Sequence, residues 1–207
     1  ASVGRLSAGV AHEINNPLTT ILTTAMLIQE DLAPDDPTYE DLSTIANEAL
    51  RCRRIVTNLL DFARQNQPVK KYHDINKIVA ACISLTQKQA AFKDISVNHD
   101  LADGLPQTLV DKGQIEQALI NLIINAVEAT PAGGRIDVAT RTADWKGFIE
   151  ISVSDPGEGI PEARLDKIFD PFYTTKENGT GLGLAIIHGI IEQHGGIVTV
   201  QSDPGQG

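Results

Sequence analysis

Four short stretches of this chain hold residues whose types and spacing can do chemistry. The first is Ala11-His12-Glu13-Ile14-Asn15-Asn16-Pro17-Leu18, in which an imidazole is followed at once by a carboxylate and, four residues on, by an amide. On a helix these make an acid–base pair and a polar hand on one exposed face. A solvated surface histidine would read the same way from the octapeptide alone. The second stretch carries Asn121 and Asn125, four apart, so both amides leave one helical face a turn from each other. An amide buried without a partner costs about 1–3 kcal/mol, so two in register ask for one. Amide oxygens suit a hard cation such as Mg²⁺ that keeps waters and phosphate ligands, although an exposed polar stripe is the plainer alternative.

The third stretch is Asp155-Pro-Gly157-Glu-Gly159, directly after an apolar run. A carboxylate at a strand end, backed by glycines that admit a ligand to the backbone, can accept a hydrogen bond from an exocyclic amine. It is also a common turn sequence. The fourth is Gly179-Thr180-Gly181-Leu182-Gly183. Alternate glycines at a helix start free backbone N–H groups where the helix dipole favours phosphate. No strand precedes it and no βαβ unit surrounds it, which rules against a dinucleotide fold. Lys176, just upstream, supplies a cation for a polyphosphate tail.

These residues must be held by elements that the hydrophobic pattern outlines. Val3, Leu6, Val10, Ile14, Leu18, Ile21, Ala25, Ile28 and Leu32 recur in steps of three and four, the stripe of an amphipathic helix that leaves His12 to one side. Ala33-Pro34-Asp35-Asp36-Pro37 breaks it. Asp36 then caps a second helix with Pro37 in its first turn, along a stripe of Leu42, Ile45, Ala49, Cys52, Val56, Leu59 and Ala63, widened by Leu60 and Phe62. Two such helices have too much apolar surface to stand alone, so a homodimeric four-helix bundle is expected. Pro17 is expected to bend the first helix just past His12.

After Gln65-Asn66-Gln67-Pro68 the pattern changes. A helix capped by Asp74 runs to about Phe92, and short strands follow at Ile95–Asp100 and Gln107–Val110. Asp111 starts a long helix to about Glu128. Strands at Arg135–Thr142 and Phe148–Ser154 follow, then a polar loop to about Thr180. A helix from Leu182 to His194 and a strand from Ile197 to Ser202 complete the pattern, which ends near Gly205-Gln206-Gly207. The fold class is α+β: a helical hairpin over 1–67, then a mixed sheet packed on helices over 68–207.

Composition narrows the function classes. At 207 residues there is room for two small cores, and a net charge of −10 argues against a nucleic-acid-binding surface. The longest apolar-rich run, Ala118–Val127, is too short to span a bilayer and is interrupted by the two asparagines. Without a signal peptide or initiating Met, the chain reads as a cytoplasmic fragment. A membrane segment of the parent could lie upstream of Ala1. Cys52 and Cys82 lack ligand-like neighbours and are expected to be buried, reduced thiols. Trp145 falls in a turn between strands and is taken as structural.

Taken together, the motifs resemble the catalytic core of a sensor histidine kinase of two-component signalling, over essentially the whole chain and in the family's order. Ala11–Leu18 resembles the phosphoacceptor box and Asn121–Ala126 the asparagine box. Asp155–Gly159 is similar to the first glycine box, Phe169-Asp-Pro-Phe172-Tyr-Thr-Thr-Lys176 to the phenylalanine box, and Gly179–Gly183 to the second glycine box. Asn125-Ala-Val-Glu-Ala129 looks like the branch that includes nitrogen-regulation kinases. The resemblance implies a dimerisation and phosphotransfer hairpin followed by a Bergerat-type ATP-binding domain. The family's final strand, after Gly207, is not in this sequence.

By the same resemblance, Asp155, with Gly157 and Gly159, would bind the adenine amine, while Asn125 and Asn121 would hold Mg²⁺ on the phosphates of ATP. Lys176, Gly179, Thr180, Gly181, Leu182 and Gly183 would cradle the β- and γ-phosphates, with 155–180 as a lid. His12 would be phosphorylated with Glu13 as base, then pass the phosphoryl group to a response-regulator receiver aspartate. Asn16 would orient a water for the reverse hydrolysis. The competing readings are another Bergerat-fold ATPase or a serine kinase, which would need no His-Glu-x-x-Asn-Pro helix, and a nucleotide-binding scaffold without catalysis.

Overall fold

The structure is a computed structural model that describes residues 2–33, 35–63, 67–145, 147–176 and 179–207. The side chains of residues 2–12, 58, 61–63 and 92 are outside that description, and with them the expectations placed on Val3, Leu6, Val10, Phe62 and Ala63. The chain divides into two compact units, residues 1–65 with 172–182, and 66–171 with 183–207.

The first unit is built on two helices, α1 (Ser2–Glu30) and α2 (Pro37–Ala63). α1 runs through Pro17 without a break. The hydroxyls of Thr19 and Thr20 donate to the carbonyls of Asn15 (2.8 Å) and Asn16 (3.2 Å) in the turn beside the proline. Asp36 accepts a hydrogen bond from Thr38 N–H at 2.7 Å, and α2 starts at Pro37, where a missing donor costs nothing. Near the turn the Gln29 amide donates to Ser43 Oγ (2.5 Å) and Tyr39 O (3.3 Å), fixing the register of the two helices.

The apolar stripes divide in two, which corrects the single-stripe expectation. Ala25, Leu42 and Ala46 are buried together, with Leu22 and Leu32 packed on them. Ile14, Ile21 and Ile28, seven apart on α1, stay 41–47% exposed, and Ile45 and Leu59 on α2 are both 46% exposed. Cys52 lies between these last two at the same spacing and is exposed, against the expectation of a buried thiol. A single hairpin has one inner face: Ala25, Leu32 and Leu42 of the stripes lie on it, with Leu22 and Ala46 one step round from stripe positions.

The second unit is an α/β sandwich. β1 (Lys71–His73) pairs antiparallel with β3 (Thr108–Val110), while β2 (Ser96–Leu101), β4 (Arg135–Thr142) and β5 (Ile149–Ser154) form a mixed sheet in the order β2-β4-β5. β2 runs parallel to β4 and β5 antiparallel to it. The period of two puts Ile136, Val138 and Thr140 on the buried face of β4. Helices α3 (Ile75–Phe92), α4 (Lys112–Ala129) and α6 (Gly183–Gln193) pack α3 on α4 and α4 on α6, with α3 against β2 and α4 against β5. A one-turn helix α5 (Glu162–Leu165) lies in the long loop. Ile197–Ser202, expected as a strand, forms no ladder among the described residues, and Ile197 is 60% exposed. No helix among the described residues is long and apolar enough to cross a membrane.

One set of polar groups inside the sandwich is closed on itself. Thr140 Oγ1 donates to Asn76 Oδ1 (2.8 Å) and accepts from Ala102 N–H (3.1 Å), while Asn76 Nδ2 donates to Ala102 O (2.8 Å). This closed ring ties α3 to the ends of β2 and β4. Lys93 reaches the last carbonyls of α4, Val127 O at 3.2 Å and Glu128 O at 3.4 Å, where the helix dipole favours a cation. Burial, with nearby Glu116 adding to it, pushes the Cys82 thiol up to about 11, which keeps it protonated.

Asp111 closes the sandwich at the other end. Its carboxylate accepts from Val69 N–H (2.8 Å) and Gln114 N–H (3.2 Å). Its own N–H donates to His194 Nε2 at 2.9 Å, while His194 Nδ1 pairs with Ile190 O at 2.7 Å. The carbonyl can only accept, so Nδ1 carries the proton and Nε2 is the acceptor. Lys70 Nζ adds a bond to Gln193 O at 2.8 Å. Desolvation pushes the Asp111 pKa up, but hydrogen bonds from Val69, Gln114 and Gly113 outweigh it, leaving the pKa below 3.8. A depressed carboxylate stabilises the fold above its unfolded pKa, and that stability is lost as pH falls through the folded value. Urea midpoints of the wild type should therefore decline in acid below about pH 4, and Asp111→Asn should remove part of that decline.

Candidate functional site

The residues with chemistry fall on these elements as follows. The backbone of His12 lies in α1, but its side chain is outside the described residues. Glu13 and Asn16 are exposed on α1, and Asn15 is half-buried. Asn15 Oδ1 is buried with no hydrogen-bond partner among the described residues.

α4 solves a packing problem. Ile115, Ala118, Leu119, Ile123, Ala126 and Val127 form a continuous buried arc at helical spacing. Asn121 and Asn125 lie at the margin of that arc, both half-buried and one turn apart. Gly183, the first residue of α6, abuts this margin: a Cβ added there would meet Asn125 Nδ2 at 3.8 Å. The start of α6 and the second amide are thereby neighbours.

Asp155 follows β5 and turns back on itself, its Oδ1 accepting the Gly157 N–H at 3.0 Å. Gly157 is buried, and a Cβ there would collide with the Asp155 carboxylate and with Ala129 at the end of α4. Gly159 takes a left-handed φ of +68° and lies against the backbone of Asp203, so it has neither the conformation nor the space for a side chain. The glycines of this box therefore bring the Asp155 loop close to two other segments of the unit.

Lys176, Gly179, Thr180, Gly181 and Leu182 belong to the first unit, and the boundary between the units falls just before Gly183. Within segment 172–182, Lys176 N–H donates to Thr174 Oγ1 (3.1 Å) and Gly179 N–H to Lys176 O (3.1 Å). Thr180 Oγ1 accepts from Leu182 N–H at 3.4 Å. Phe172 N–H donates to Gly181 O at 2.9 Å. Phe172 itself has φ +69°, a conformation few non-glycine residues adopt. Gly181, at φ +66°, lies on the Phe172 backbone too closely for any Cβ. The segment is thus a closed turn with strain at one end, and the ring of Phe172 is 62% exposed.

No group of three or more His, Cys, Asp or Glu side chains among the described residues is arranged to hold a metal. The donors at hand are the two amides of α4. That set fits a cation that completes its shell with water and phosphate oxygens.

The sequence reading missed Ser202 and the turn after it. The Ser202 hydroxyl accepts from Ile160 N–H (2.8 Å) and donates to Gly207 O (2.8 Å), joining the chain's last segment to the Asp155 loop. The local signal was the run Ser202-Asp-Pro-Gly205, a turn-forming sequence whose partner lies far away in the chain.

Comparison with known proteins follows the same order. Residues 2–68 match the His Kinase A (phospho-acceptor) domain, and 110–207 match the histidine kinase-, DNA gyrase B-, and HSP90-like ATPase family. The chain is 38% identical over 207 residues to sensor histidine kinase ZraS of Escherichia coli (strain K12), covering all of this chain and 44% of that protein. It therefore spans less than half the length of this relative. Full-length ShkA in complex with AMPPNP has a TM-score of 0.79 at 27% identity, covering 99% of this chain and 44% of that one. Histidine kinase ThkA in complex with the response regulator protein TrrA has a TM-score of 0.66 at 30% identity, covering 94% and 56%. A helical region with the phospho-acceptor signature precedes a sandwich of the ATPase type on one chain, and the chain belongs to the histidine kinase family.

Proposed function

We propose that this chain is the catalytic core of a two-component sensor kinase, which transfers the γ-phosphoryl group of ATP to His12 and then to an aspartate of a response-regulator receiver domain. What carries the reading is the presence on one chain of the His12-Glu13-x-x-Asn16-Pro17 helix and of an ATPase-type sandwich with amides on α4 and a carboxylate after β5. ShkA with its ATP analogue and ThkA with its response regulator support the choice of donor and acceptor. We take residues 1–67 as the dimerisation and phosphotransfer hairpin and 68–207 as the ATP-binding domain. The fragment would act in the cytoplasm.

In this mechanism Asp155 accepts a hydrogen bond from the adenine amine, with Gly157 and Gly159 letting the base approach the backbone. Asn121 and Asn125 would hold a Mg²⁺ ion, which when bound neutralises phosphate charge. Lys176 and the Gly179–Gly183 backbone, with Thr180, Gly181 and Leu182, steady the β- and γ-phosphates. An unprotonated His12 nitrogen attacks the γ-phosphorus, a P–N bond forms, and the bond to the ADP oxygen breaks. Glu13 takes the ring proton. The receiver aspartate then attacks the same phosphorus and releases His12. Asn16 orients a water against the resulting phosphoaspartate, giving a phosphatase step. Catalysis on this route is mostly positioning and charge stabilisation.

Homodimerisation follows from the outer stripe of the hairpin. Ile14, Ile21 and Ile28 face out on α1, as do Ile45, Cys52 and Leu59 on α2, each set at a seven-residue repeat. That is the spacing of helices packed on helices, and a second copy supplies the matching surface.

Three outcomes are expected. With labelled ATP and Mg²⁺ the protein should gain an acid-labile, alkali-stable phosphate. His12→Gln and Asn125→Ala should each reduce labelling to background, and His12→Gln labelling as strongly as wild type would remove the histidine from the mechanism. Asn16→Ala should label normally yet slow dephosphorylation of a phosphorylated receiver by on the order of tenfold or more, equivalent to about 1.4 kcal/mol of lost transition-state stabilisation. Ile21→Glu with Leu59→Glu should convert a dimer to a monomer in sedimentation equilibrium; a wild-type monomer would refute the bundle.

A further inference from the structure

The loop Asp155–Ile160 carries two glycines and few side chains of its own to pack, so its shape must be imposed from outside. The turn Ser202–Gly207 imposes it. Gly205 N–H donates to Glu158 O at 2.8 Å, and Asp203 N–H donates to Gly207 O at 2.8 Å, closing the turn. Gly159 is pressed on the backbone of Asp203 and Pro204, and Gly207 on the backbone of Asp155. Between these contacts Ser202 Oγ accepts from Ile160 N–H and donates to Gly207 O, each at 2.8 Å. A hydroxyl can accept and donate at once, and here one atom pins the far end of the Asp155 loop to the turn that lies on its near end. The near end is already held by the Gly157 N–H on Asp155 Oδ1 at 3.0 Å.

We propose that Ser202 is a positioning residue for adenine recognition, fixing the Asp155–Ile160 loop so that the Asp155 carboxylate meets the exocyclic amine. The inference rests on the reading of Asp155 given under the proposed function. It makes Ser202 a determinant of base selectivity, although Ser202 itself touches no part of the nucleotide.

The test compares ATP with inosine triphosphate, which lacks the amine, in autophosphorylation kinetics of the dimeric protein. Ser202→Ala leaves the Ile160 N–H without its acceptor. It should raise KM for ATP about fivefold to thirtyfold, the factor equivalent to one lost hydrogen bond, with little change in kcat. KM for inosine triphosphate should stay put, so the preference for ATP falls by the same factor. Ser202→Thr keeps the hydroxyl and should restore the preference, whereas Ser202→Val, of the same shape, should not. An equal loss toward both nucleotides, or Val behaving as Thr does, would show that Ser202 only supports the fold and would overturn the inference. Asp155→Ala separates the two levels. If it leaves the ATP preference intact, the reading of Asp155 fails. If it abolishes the preference while Ser202→Ala and Ser202→Val do not lower it, the Ser202 inference fails alone.

Discussion

The second unit depends on one helix meeting two demands at once. α4 seals the sandwich with Ile115, Ala118, Leu119, Ile123, Ala126 and Val127, and it also carries two amides a turn apart. An amide in the middle of that arc would be buried unsatisfied, and one on the opposite side would be lost in solvent. The margin of the arc satisfies both, and Asn121 and Asn125 occupy it, half-buried. The neighbours of α4 are arranged around that margin. α6 begins beside Asn125, and the Asp155 loop crosses the end of α4 at Gly157 and Ala129. At Gly157 a Cβ would collide with the Asp155 carboxylate and with Ala129, whereas at Gly183 it would reach Asn125 Nδ2 only at ordinary contact distance.

Much of this was legible in the sequence. Asp74 and Asp111 stand immediately before apolar stripes of helical period, and both cap helices with their side chains, accepting from Lys77 N–H at 3.4 Å and Gln114 N–H at 3.2 Å. β4 and β5 alternate apolar and polar residues as half-buried strands do, and their bounds lie within a residue of those read from the pattern. The chemistry-bearing motifs were legible because each has a fixed internal spacing.

What was hidden depends on partners remote in sequence. β1 is three residues long with no alternation to read, and exists because β3 lies beside it. Ile197–Ser202 has the composition of a strand but forms no ladder among the described residues. The two hairpin stripes looked continuous because periodicity records which residues avoid water, not which surface shields them. Cys52 was misjudged for that reason: its spacing matches the apolar repeat, yet it sits on the half of the repeat that α1 does not cover. Ser202 was invisible because its significance lies in Ile160, which no local pattern links to it.

One detail of the hairpin bears on how it moves. Its best-sealed contacts, Ala25 with Leu42 and Ala46, lie near the turn, where Gln29 also bridges to Ser43. Towards the other end, at Asn15, a buried amide oxygen has no partner among the described residues. Opening the helix pair costs most where apolar packing is dense and least where a desolvated polar group regains water on exposure. The turn end therefore acts as a clasp, and the desolvated Asn15 oxygen weighs against closure further along α1. Within the described residues, the hold between the two helices therefore weakens from the turn towards Asn15.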